Sequence, residues 1–359
     1  MINHTLQKTA MQPFAILDRT ISPISPTFVI AEIGVNHDGS LQRALELVDR
    51  AHAARADAVK LQIFNARTLL HSSISFATYQ VDRCAEATPT EMLERYELCP
   101  KDLQTVVDAI RERGMLAIAT PFSLDDVQHI DHLHLPAIKI ASPDLVNRPL
   151  LHRAAQLGRP LLISTGASTL AEIETTVGWL REWNASFALL HCISAYPTAS
   201  HDAHLCWITD LATKFQLPIG YSDHTTELLA GPLAVAAGAL IIEKHLTYDR
   251  AAQGPDHAAS FDSGQFRQYV ELIRQAELLR GVPGRRVLDV EQDVRKVSRQ
   301  SIVLRRAVET GDRIREGDLT IQRPGTGIPA ADFASVIGRK LVRPMPAGTL
   351  LTWDMLHAA

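Results

Sequence analysis

The chain has 359 residues, 46% hydrophobic and 21% charged, with a formal net charge of −4. That mildly acidic balance, with no basic run interleaved with aromatics, argues against a nucleic-acid surface; no stretch reaches the roughly 18 uninterrupted apolar residues of a membrane helix. What remains is a soluble chain long enough for one barrel-sized domain and a small extra module.

Residues 1–26 read as a lead-in. The opening MINHTLQKTAMQPFAILDR lacks the apolar core of a signal peptide, and 21–26 (ISPISP) is too proline-rich for a helix. From 27 to 281 come eight short apolar runs, each ending on polar or charged residues: 28–34 (FVIAEIG), 58–64 (AVKLQIF), 116–122 (LAIATPF), 137–144 (AIKIASPD), 160–166 (PLLISTG), 187–194 (FALLHCIS), 218–224 (PIGYSDH) and 240–246 (LIIEKHL). Such runs suit strands buried on both faces, as parallel strands between helices are. Stretches with helical spacing separate most of them. After the first, Ser40 is placed to cap a helix whose Leu41, Ala44, Leu45 and Val48 share a face. Eight strand–helix units predict an α/β chain folded as a (β/α)8 TIM barrel, with its active site at the C-terminal strand ends.

The longest gap, 65–114, holds two further helical stretches and an insertion around 78–96 that reads as a lid or substrate wall. Residues 282–297 are polar, charged and marked by Gly and Pro, as a linker is. Residues 298–359 show short apolar runs between close turns and no helix period, which predicts a small all-β module. Cys84, Cys99, Cys192 and Cys206 lack metal-type spacing and fit structural thiols in a reducing cytoplasm.

The strand ends carry the chemistry. His224 and His245 end the last two strands, and neighbouring strands lie about 5 Å apart, so both imidazoles can reach one divalent ion. The alternative is a pair of hydrogen-bonding histidines. Glu243 shares a strand face with His245 and is placed to hold a metal-bound water; His191 and His257 are weaker metal candidates, and His191 reads as packing. Lys60 and Lys139 end the second and fourth strands, with hydroxyls from Thr120, Ser142, Ser164, Ser194 and Ser222 around the same mouth. A ligand carrying phosphate and carboxylate needs such cations and donors where water is excluded. Glu32 ends the first strand, either as a proton acceptor or as a salt-bridge partner of Lys60. Gly34 and Gly166 read as permitting tight turns.

These segments together resemble the sialic acid synthases, which condense phosphoenolpyruvate with an open-chain amino sugar. The matching pieces are AEIGVNHDGS (31–40), VKLQIF (59–64), ATPF (119–122), KIAS (139–142), STG (164–166), LLHCISAYPT (189–198), GYSDHT (220–225), EKH (243–245) and GPDH (254–257). RPGTG (323–327) resembles the signature of that family's antifreeze-like (SAF) domain, so the likeness runs from about 28 to 353. The resemblance implies Mn²⁺, or Mg²⁺ or Co²⁺, at His224 and His245, polarising the aldehyde. It places Lys60 and Thr120 at the carboxylate of phosphoenolpyruvate, Lys139 and Ser164 at its phosphate, and Gln62 beside them. Glu32 would contact the sugar or the intermediate, and Asp144, Tyr196 and Asp256 the sugar hydroxyls. It further implies a domain-swapped homodimer in which Arg323 approaches the partner's sugar. Two positions depart from the family pattern: Ser142-Pro143-Asp144 stands for a Ser-Gly-Glu turn, and Ser194 for an Asn. Both face substrate in the family, which leaves the sugar open. Rival readings are a Schiff-base pyruvate aldolase using Lys139 and a non-catalytic carbohydrate-binding protein.

Overall fold

The computed structural model describes residues 14–71, 74, 86 and 88–358. Residues 78–85 and 87 of the insertion expected around 78–96 and the first thirteen residues of the lead-in lie outside the described residues, Cys84 among them. Two compact units divide the chain, 1–282 and 283–359.

The lead-in is more organised than its proline content suggested. Strands β1 (Phe14–Ile16) and β2 (Arg19–Ile21) pair antiparallel about a turn where Leu17 has φ 55°. Phe14, Ile16 and Ile21 pack with Phe28, Ile30, Ala58, Ile118, Leu162, Leu190 and Ile241, so the hairpin plugs the end of the barrel opposite the strand C-termini.

The barrel strands are β3 (Phe28–Glu32), β4 (Ala58–Ile63), β5 (Leu116–Pro121), β6 (Ile138–Ile140), β7 (Leu161–Ser164), β8 (Phe187–Cys192), β9 (Ile219–Asp223) and β10 (Ile241–His245). They close in chain order, with β10 pairing parallel to β3. Alternation along each strand sorts the side chains. In β3, Ile30 joins the interior cluster, while Val29 and Ala31 meet the surrounding helices. The helix Leu41–Ala53 begins where the Ser40 side chain accepts from the Arg43 amide, and it buries Ala44, Leu47, Val48 and Ala51 on the strands. Truncating one such buried Leu to Ala costs about 2–5 kcal/mol. The apolar layers thus hold the strands rigidly while their last inward residues stay free for chemistry.

Of the long connection after β4, the helices Ala66–Leu69, Pro89–Tyr96 and Pro100–Glu112 are described. A capping box at Thr88 starts the second, whose Met92 and Tyr96 pack on Val35 of the loop after β3. The wall expected of this gap is therefore partly a helix.

In the second unit, β11 (Ser301–Leu304) and β12 (Leu319–Gln322) pair antiparallel around a core of Ile302, Leu304, Val308, Ile314, Leu341 and Leu351. Two short helices depart from the all-β expectation: Phe333–Val336, and Gln292–Ser298 inside the stretch read as a linker. The second is preceded by Leu288, whose amide donates to Glu291 Oε2 at 2.8 Å. Polar composition hid it, because seven residues carry too little period to be recognised.

Candidate active site

A cavity of about 400 Å³ lies at the C-terminal strand ends, and Lys60, Gln62, Thr120, Lys139, Ser142, Ser164, Ser194, Tyr196, Ser222, His224, Glu243, His245 and Asp256 line it. Register explains why residues so far apart meet. Glu32 stands beside both His245 and Lys60, Gln62 beside Thr120, and Glu243 beside Ser222. Residues paired across parallel strands share a face, and here it is the inner one.

The lysines are already matched with carboxylates. Glu32, fully buried, is ion-paired with Lys60, and its Oε1 accepts from the Gly34 amide at 2.5 Å. It sits beneath Lys60 rather than on the cavity wall, so the salt-bridge alternative describes its resting contact. Glu243 lies between the lysines, 3.3 Å from Lys60 Nζ and 3.9 Å from Lys139 Nζ, and accepts from Ser222 Oγ at 2.8 Å. Lys139 donates to Ser164 Oγ at 2.6 Å and to the Ile140 carbonyl at 3.0 Å. Burial lowers Lys60 to about 8, against the pull of Glu243. Burial alone would raise Glu243, but Lys139 and Lys60 outweigh it and hold the carboxyl at about 2.

That last shift sets an acid sensitivity. Glu243 has an ordinary value of 4.5 and a folded value of about 2, so between the two the unfolded chain binds more protons. The stability it confers is complete above 4.5 and is lost as pH falls toward 2. Thermal unfolding across that window should show the loss, and Glu243→Gln should flatten it. An unchanged slope in the variant would contradict the assignment.

The two imidazoles are 5.5 Å apart between ring centroids, with the Tyr196 ring 4.2 Å from His224. His224 Nδ1 lies 3.1 Å from the Ile193 carbonyl, to which an Nδ1–H would donate, leaving Nε2 as the ring nitrogen with a lone pair. Burial, then His224 and Lys60, push His245 well below its ordinary value, so it is neutral, the form that binds metal. Among the described residues, His245 Nδ1 and Thr120 Oγ1 are buried without a hydrogen-bond partner. Unsatisfied buried atoms at a cavity point to ligand contacts. The pair of imidazoles with one unpartnered nitrogen fits a divalent ion, with its other positions left to water and substrate. No group of three or more His, Cys, Asp or Glu among the described residues is arranged to hold a metal, and the candidate ligands are these two imidazoles.

Several residues fall elsewhere. Asp144 lies outside the cavity walls formed by the described residues: the 3₁₀ turn Ser142–Val146 puts Ser142 and Pro143 on the wall and leaves Asp144 accepting from Asn147 Nδ2 at 2.9 Å. Burial raises its carboxyl. Arg323 is exposed in the second unit. His191 Nε2 is 2.8 Å from the Ala203 carbonyl and its ring stacks on Tyr221, which is packing. Asp223 and Lys244 point outward instead, where Lys244 lies 3.6 Å from the Asp223 carboxylate and 4.2 Å above the Phe261 ring, and Tyr269 OH donates to Asp223 at 2.6 Å.

The two glycines need correction: neither has a positive φ. A Cβ on Gly34 would stand 2.5 Å from Gln62 Cγ, and one on Gly166 2.8 Å from Ser142 Oγ and 3.0 Å from Cys192 Sγ. Close approach of cavity side chains, not turn geometry, requires glycine there. Sequence reasoning also missed Cys192, which lines the cavity with Sγ 3.5 Å from Ser142 Oγ and 3.7 Å from His224 Nδ1. Its place one residue after the outward His191 was the available signal.

The pattern of the NeuB family matches residues 47–284, and that of the SAF domain matches 299–357. The chain belongs to the NeuB family. It is 38% identical over 353 residues to the N,N'-diacetyllegionaminic acid synthase of Legionella pneumophila subsp. pneumophila, covering 95% of this chain and 99% of that protein. It is 29% identical to a pseudaminic acid synthase of Campylobacter jejuni subsp. jejuni, covering 90% and 95%. Among solved structures, the N-acetylneuraminic acid (sialic acid) synthetase of Leptospira borgpetersenii in complex with citrate aligns with a TM-score of 0.72 and 32% identity, over 79% of this chain and 95% of that one. These relatives are synthases of three different acids.

Proposed function

We propose that this NeuB-family chain condenses phosphoenolpyruvate with the open-chain aldehyde of an N-acyl hexosamine, N-acetylmannosamine or a relative, giving a nonulosonic acid and inorganic phosphate. The supporting observation is one cavity that joins two buried lysines, a ring of hydroxyls and two adjacent imidazoles. In this reading Lys60 and the unpartnered Thr120 hydroxyl hold the carboxylate, Lys139 and Ser164 hold the phosphate, and Gln62, Ser142, Ser194 and Ser222 complete the cradle. Tyr196 and Asp256 face the sugar.

C3 of phosphoenolpyruvate forms a bond to the aldehyde carbon, water adds to C2, and the resulting tetrahedral species expels phosphate with cleavage of the C2–O bond. Mn²⁺, or Mg²⁺ or Co²⁺, held by His224 and His245, would supply Lewis-acid polarisation of the aldehyde oxygen. The chain itself fixes the reacting carbons and excludes water from the lysines. Glu32 and Glu243 keep Lys60 and Lys139 compensated until the anionic substrate competes for them, and the proton released by the adding water balances the one taken up by the alkoxide formed at the aldehyde oxygen. A Schiff-base aldolase using Lys139 would release no phosphate.

We extend the proposal to a cytoplasmic, domain-swapped homodimer whose Arg323 reaches the partner's sugar. Val290, Val294 and Val297, exposed on and beside the helix Gln292–Ser298, offer apolar surface that an exchange between copies would cover. The function is tested by phosphate release from phosphoenolpyruvate across a panel of N-acyl amino sugars. Release that depends on both substrates supports it, and none with any sugar overturns it.

A further inference from the structure

Behind the cavity wall stands a second cluster, Asp38, Thr247, Tyr248 and His257, whose members are not among the residues that line the cavity. The loop after β3 is strained: Val35 and Asp38 have φ of 57° and 50°, a region costly for a β-branched residue such as Val35. Three donors converge on the Asp38 carboxylate. His257 Nε2 lies at 3.1 Å, Tyr248 OH at 2.7 Å and Arg43 Nη1 at 2.5 Å. The other ring nitrogen of His257 is 2.7 Å from Thr247 Oγ1, and the His257 and Asp38 side chains are 1% and 3% exposed. A Cβ on Gly254 would stand 2.7 Å from His257 Cδ2 and 3.0 Å from Tyr96 OH, so the loop after β10 is pressed against the helix Pro89–Tyr96. The residue before His257 is Asp256, which lines the cavity and lies 3.8 Å from His245 Nδ1.

We propose that the Asp38–His257 pair, completed by Thr247 and Tyr248, is a positioning device: it fastens the loop after β10 to the loop after β3 and thereby sets Asp256 against the acceptor sugar. This rests on the reading that the sugar binds beside Asp256. Asp38 and His257 act through Asp256 and touch no substrate. The loop after β3, strained at Val35, is held by the same bonds, so the two loops move together.

The test is a cycle of His257→Asn and Asp256→Ala, with Thr247→Val as a milder variant should His257→Asn fail to fold. His257→Asn should raise KM for the sugar roughly tenfold to a hundredfold, the scale of a small misplacement of a binding group, and leave KM for phosphoenolpyruvate within about twofold. The double variant should be no worse than Asp256→Ala alone, because groups acting through one another are not additive. Hydrogen exchange should quicken in 35–40 and 247–258 together, with β4–β7 unchanged. Additive losses, equal changes in both Michaelis constants, or faster exchange in only one loop would overturn the proposal. If the wild-type protein turns over no sugar, the reading of the cavity falls, and the exchange pattern alone decides whether the two loops are fastened by this pair.

Discussion

Replacing His245 by Gln is expected to lower kcat/KM by at least about a thousandfold, because a Lewis acid at a developing alkoxide is worth several kcal/mol. The same holds for His224→Gln. Both side chains end strands at the cavity rather than filling the apolar layers, so far-ultraviolet dichroism and the unfolding midpoint should stay close to those of the wild type. Removing metal with a chelator should reproduce the loss in the unmodified protein, and adding Mn²⁺ should reverse it there but not in the variants. Full activity of the chelated protein would end the metal assignment. Mixing the His245→Gln chain with an Arg323→Ala chain examines the proposed exchange. If Arg323 serves the partner, one kind of site in the mixed dimer keeps both residues and activity partly returns; if it serves its own barrel, every site remains broken.

Each barrel strand begins within about one residue of its apolar run, because strands buried on both faces write their extent directly into hydrophobicity. Which strand-end charges face inward was not legible from composition alone. Lys244 and Lys60 both lie on barrel strands, yet alternation sends Lys244 outward to Asp223 and Phe261 and Lys60 inward to Glu32. Counting the period from His245 would have separated them. Compensation was legible only in part: a salt bridge to Lys60 was one of two readings of Glu32, and the register of β3 and β4 is what makes them neighbours. The sequence count of two lysines therefore overstated the positive charge awaiting a ligand. The facing of Asp144 was not legible because a 3₁₀ turn, unlike a strand, has no simple alternation to predict it. The hairpin of β1 and β2 was missed because strands of three residues leave too short a pattern.

Lys139→Ala should weaken phosphoenolpyruvate binding by about 2–5 kcal/mol, the cost of removing one partner of a buried charge pair. That raises its Michaelis constant by roughly thirtyfold to several thousandfold, at about 1.4 kcal/mol per tenfold. The size follows from the charges left behind. With Lys139 gone, the buried carboxylates Glu32 and Glu243 face Lys60 alone, so an incoming phosphate meets net negative charge instead of balance. Lys139→Arg should not restore binding, since the side chain is only 2% exposed and donates within hydrogen-bond reach of Ser164 and Ile140, leaving no room for a longer, forked group. Adding Glu243→Gln to Lys139→Ala removes the stranded carboxylate and should recover folding stability while binding stays weak. Titration of phosphoenolpyruvate at saturating sugar separates these outcomes. An unchanged constant for phosphoenolpyruvate with a raised one for the sugar would place Lys139 at the wrong substrate, and with it the phosphate end of the cavity.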